Sequence, residues 1–203
     1  LKKMNFSTKL GIGFGLGLVL ICVVGVFSIH IAKELSDLNR KLYEHPFSVT
    51  KAVLSIETNV MRIHRTMKDV VLAKGDSELN DAVVQVNELE NKILSSFSVI
   101  RERFLGDKAM YERAETLYRE WRPIREEVIS LVRAGRLEQA AAITKGKGAA
   151  HIDGIMTALS ALETFAEKMA ARFFADSKTL RDRDLTMMYA IIMVSLLLGG
   201  LFS

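Results

Sequence analysis

Arg62 and Arg65 stand three residues apart, with Lys68 three further on. Lys145 and Lys147 flank Gly146, and His151 follows four residues after Lys147. Guanidinium groups hold carboxylate or phosphate in a two-pronged grip, and ammonium groups add point charge. If both stretches are helical and antiparallel, Arg65 and Lys145 each lie ten residues from a glycine turn, at Gly75 and Gly135. That places Arg62, Arg65, Lys68, Lys145, Lys147 and His151 at one level, a belt able to hold a small organic anion. Gly146 and Gly148 would expose backbone N–H groups between the lysines. A second reading stays open, a solvated face in which Asp69 pairs with Arg65 across one helical turn.

His45 precedes Pro46 inside an otherwise helical pattern. Proline there removes one backbone hydrogen bond and kinks the axis. The site is a candidate hinge or a kink that serves packing, and Pro123 carries the same ambiguity. The four histidines, at 30, 45, 64 and 151, have no metal-ligand spacing, so neither a metal nor a cofactor is expected. No nucleophile–base pair, phosphate loop or carboxylate dyad stands out, and no catalytic residue is assigned to this chain.

The elements that must position these residues are helices. Leu10 to Ile31 carries no Lys, Arg, Asp or Glu and would make a rod of about 33 Å, enough to cross a hydrocarbon core of about 30 Å. Residues 185–203 form a second uncharged run. No cleavage-type small-residue pattern follows the first run, which argues against a removable leader. Lys2, Lys3 and Lys9 precede it and place residues 1–9 in the cytoplasm and 32–184 outside. Three of the 28 basic residues lie there, and the remainder nearly balance 24 acidic ones, a poor basis for binding nucleic acid. Gly11, Gly13, Gly15 and Gly17 contain overlapping small-residue spacings that would let two first spans approach. Cys22 is the one cysteine, so the outer domain has no disulfide available.

Between the runs, apolar residues recur at helical spacing. Helix one continues the first run to about Lys74, with Leu35, Leu42, Val49, Ile56, Ile63 and Val70 seven apart. Helix two covers about 77–105, helix three about 108–134, and helix four about 136–184. Gly75, Gly106 and Gly135 are expected as left-handed caps between them. The fold class is all-α, an up-down-up-down four-helix bundle flanked by two transmembrane helices. Helices one and four outlast the other two, so a dimer with a coiled-coil-like stalk is expected to bury their lower part.

A basic N-terminus, a span, a helical stretch of about 150 residues and a second span resemble the four-helix-bundle sensor domain of bacterial chemoreceptors and related transmembrane histidine kinases and diguanylate cyclases. Leu42 to Phe47, Ile63 to Asp69 and Thr144 to His151 also look like this group. The resemblance implies a homodimer that binds ligand near the far end on helices one and four, often across the dimer interface, and signals down helix four. The function expected is extracytoplasmic ligand sensing and transmembrane signalling to a cytoplasmic output domain beyond residue 203. The alternative is a scaffolding membrane protein whose bundle binds a protein partner.

Overall fold

The computed structural model describes residues 5–202, apart from the side chains of Phe6, Lys9 and those from Leu198 onward. Lys2, Lys3 and the end of the second apolar run therefore lie outside the described residues. Every element is helical, and no strand occurs among the described residues. The long elements are α1 (Phe6–Leu42), α2 (Ser48–Leu72), α3 (Asp76–Arg103), α4 (Lys108–Arg133) and α6 (Ala149–Phe202), with a short α5 (Leu137–Ile143) between α4 and α6. Wider π-helical turns, Tyr43–Phe47 and Thr144–Gly148, join α1 to α2 and α5 to α6 without a break in the helix. The four predicted rods are thus present, each end within about three residues of its expected place.

The chain divides into two compact units. One is the bundle, Leu42–Ala170; the other comprises the segments up to Lys41 and from Ala171. In the bundle the seven-residue stripe points inward, with Val49, Ile56, Ile63 and Val70 at most 1% exposed. Leu79, Val86, Ile93, Phe97 and Ile100 answer from α3, and Ile152, Leu159, Leu162 and Ala166 from α6. On α4 the buried positions include Tyr111, Ala114, Tyr118, Trp121, Arg125, Val128 and Val132, with Glu115 and Ile124 beside them. This alternation of three and four is the seam of a coiled coil.

The other unit carries the exposed apolar surface. The helix Leu10–Leu72 contains a window of mean hydropathy 2.6 with none of it buried, long and apolar enough to cross a membrane. Residues 185–202 are also helical.

Two expectations about turns need correction. Only Gly135 is left-handed, at φ 73°; there Arg136 N–H bonds Leu131 O at 2.8 Å and Gly135 N–H bonds Val132 O at 2.9 Å, a complete Schellman cap. Gly75 is instead the extended residue opening α3, and Glu78 reaches back to the Lys74 N–H at 2.9 Å. Gly106 serves by its size: a Cβ there would meet Phe104 at 2.7 Å and Phe165 at 2.8 Å. Pro46 produces a π turn, which relieves the collision of its ring with the carbonyl four residues back, and Ser48 Oγ donates to Tyr43 O at 2.8 Å. Pro123 is carried within α4 without any such turn.

Candidate functional site

The ridge on α2 comes from spacing. Residues 62, 65 and 68 advance by 300° per step around a helix, so they stay on one face, opposite the buried Ile63, Met67 and Val70. All three side chains are exposed. Arg65 does not form the ordinary pair with Asp69, and among the described residues no carboxylate lies within 4 Å of Arg62, Arg65, Lys68 or Lys145. Lys147 is 3.8 Å from Glu127 on α4.

A small cleft shows that the α2 ridge and the second π turn share a level. His64 and Met67 of α2, Trp121 and Arg125 of α4, and Thr144 and Gly148 of the π turn line one cavity of about 10 Å3, room for about one water. Thr144 is buried, its Oγ1 donating to Ala140 O at 2.9 Å. Burial, and then the ammonium of Lys68, hold the His64 imidazole below its usual range, with Asp153 opposing them. His64 is therefore neutral at neutral pH.

Two site expectations change. The Thr144–Gly148 stretch is a helical turn, so its N–H groups are spent within the helix and form no open anion nest. His151 is half-buried and its Nε2 lies 2.7 Å from Leu117 O, where it donates. The neutral ring then offers only an acceptor at Nδ1, so His151 anchors α6 to α4 and gives an anion no hydrogen bond in that form.

His45 and Pro46 lie in the first π turn, beside the end of α3. His45 Nδ1 donates to Arg103 O at 3.0 Å, tying the π turn to the last turn of α3. Pro46 is buried, and both line a second small cavity with Phe104 and Phe165.

Sequence reasoning missed the ionic layer between α3 and α4. Arg125 is only 4% exposed. Its Nη2 donates to Glu90 at 3.2 Å, and its Cζ lies 5.0 Å from the Trp121 ring centre and 5.8 Å from that of Tyr118. Arg125 Nε and Tyr118 Oη are both buried without a protein partner, and burial pushes the Tyr118 phenol further above its usual range. A second clamp joins Arg101 to Glu115 at 2.9 Å and Arg119 to Glu115 at 2.6 Å. Burial opposes ionisation of Glu115, but the hydrogen bonds from Arg119 and Arg101 outweigh it and hold this carboxyl below its usual range. The readable signal for Arg125 was its place four residues after Trp121 on the α4 seam, a charge at a core position.

A family model described as a four helix bundle sensory module for signal transduction matches residues 3–180. No curated protein and no solved structure matches the chain. With a helical bundle built on four antiparallel rods and a model that spans most of its length, this chain belongs to the family of four-helix-bundle sensory modules for signal transduction.

Proposed function

We propose that the bundle is the extracytoplasmic sensor of a bacterial transmembrane receptor, that it works as a homodimer, and that it recognises a small organic anion at the Arg62–Arg65–Lys68 ridge together with Lys145 and Lys147. One observation carries this reading. The π turn that bears both lysines opens directly into α6, which runs unbroken from Ala149 to Phe202 and so extends from the bundle core into the second apolar run. An anion held by the α2 cations and the π-turn lysines gains most in one packing of α6 and shifts the equilibrium only by that difference. Packed helices slide by about 1–2 Å in such transitions, and couplings of about 1–3 kcal/mol are typical. The bundle is read as non-catalytic, with its output carried by a cytoplasmic domain.

The homodimer draws support from the outer face of α2. Phe47, Leu54 and Met61 are seven apart and 54%, 47% and 49% exposed, a second heptad stripe that stays largely open to solvent. Arg65 follows Met61 by one turn, so a ridge cation borders that stripe. The test is a melting-temperature screen of the full chain in nanodiscs against organic di- and tricarboxylates and phosphates. One anion should raise the melting temperature, and Arg65→Ala should abolish the rise. No response to any anion, with a protein partner retained through purification, would favour the scaffolding reading instead.

A further inference from the structure

Away from the bundle, Ser28–Leu38 of α1 and Ser177–Met188 of α6 enclose a cavity of about 340 Å3, within the range of small-ligand sites. Its walls are apolar, formed by Ile31, Leu35, Leu38, Leu180, Leu185 and Met188. Three charged residues break that surface: Glu34, Arg181 and Asp184. Asp184 is buried and takes both hydrogen bonds of Arg183, each at 3.1 Å. Arg183 consequently approaches Glu34 Oε2 only to 3.8 Å. That oxygen is buried and has no hydrogen-bond partner, while Oε1 lies 3.5 Å from His30 Nε2. Arg181 is exposed and bonded only to its neighbour Asp182, at 3.2 Å.

A buried carboxylate oxygen without a donor is costly. The cavity thus lacks one cationic hydrogen-bond donor at Glu34, has the exposed Arg181 guanidinium beside it, and is otherwise greasy. It also straddles Ile31, where the first apolar run ends. On the reading of that run as a membrane span, which this inference requires, the cavity lies at the boundary between hydrocarbon and headgroups.

We propose that it binds a phospholipid with a primary-ammonium headgroup, the ammonium donating to Glu34 Oε2, the phosphate meeting Arg181, and an acyl chain lying along the apolar wall. A choline headgroup has no N–H to give Glu34. A purely anionic lipid supplies no cationic donor and faces two carboxylates. A second copy related by a two-fold axis presents the same residues again, and its Arg181 and Arg183 already have Asp182 and Asp184 as partners.

The full chain, reconstituted in nanodiscs of phosphatidylcholine alone or mixed with phosphatidylethanolamine or phosphatidylglycerol, tests this by native mass spectrometry of the lipid retained on detergent extraction. Phosphatidylethanolamine should be retained preferentially. Glu34→Gln should weaken that preference about tenfold or more, since a charge-assisted hydrogen bond is lost, with Arg181→Ala lowering retention of every phospholipid. Glu34 reaches the surface, so both variants should keep the wild-type circular dichroism spectrum. Equal retention of ethanolamine and choline lipids overturns the proposal, as does a Leu35→Cys chain, in a Cys22→Ser background, that cross-links to a second copy equally in every lipid. A chain that stays out of the bilayer overturns the membrane reading and this inference together.

Discussion

Arg125 and Glu57 show opposite ways of placing charge in the bundle. Arg125 gives up hydration but keeps the Glu90 carboxylate and two aromatic faces, sharing Glu90 with Arg122, which approaches it to 3.7 Å. Glu57 has no cation within 4 Å among the described residues. Burial, and then the charge of Glu163 on α6, raise its carboxyl above the usual range. The folded chain therefore holds this proton more tightly than the unfolded chain does. Below the unfolded pKa of about 4.5 both states are protonated and the site costs nothing; the penalty grows as pH rises through the folded value and is complete above it. Glu57→Gln should therefore raise the melting temperature at pH 7 and lose that advantage in acid. Solvent screens this site, so the gain is at most about 1 kcal/mol, or roughly 3 °C. Calorimetry of the full chain across pH measures it, and an advantage that grew in acid would refute the assignment.

At the scale of elements, three glycine junctions do three different jobs, and substitution separates them. Gly135→Ala keeps its space, since nothing lies within 4 Å, but forces a Cβ into the left-handed region at a cost of about 1–2 kcal/mol. Gly106→Ala has an ordinary backbone and no room, because Phe104 is fixed against Phe165 at 4.9 Å and Tyr111 at 6.2 Å between ring centres; overpacking there costs about 1–3 kcal/mol. Gly75→Ala meets neither obstacle and should cost the least of the three, about 0.5 kcal/mol, the difference between glycine and alanine at an N-cap. Denaturant unfolding of the three variants gives the order, and a large loss at Gly75 would contradict the extended N-cap. The π turns follow a similar logic. Proline at 46 and glycine at 146 and 148 weaken the regular ladder, and the chain answers by widening one turn without ending the rod.

For the whole molecule, the exposed stripe Phe47–Leu54–Met61 tests the dimer. Leu54→Glu lies outside the core, so the monomer's helicity should persist while self-association weakens by an order of magnitude or more, a change read by sedimentation equilibrium. Unchanged association would move the interface elsewhere. Since Arg65 borders the same stripe, the anion response should weaken in parallel if the two share one surface.

The sequence by itself determined the rods, their order and their inward faces. Val49, Ile56, Ile63 and Val70 are seven apart because a helix must return an apolar side chain to the same side every two turns, and that constraint is local. Only the tertiary structure decided that Arg125 would be buried against Trp121 and Glu90, that His151 would be spent on a carbonyl of α4, and that Gly106 would be needed for its lack of a side chain. Each of those depends on which atom of another helix arrives opposite, a matter of rotation and approach between rods that a one-dimensional pattern does not encode.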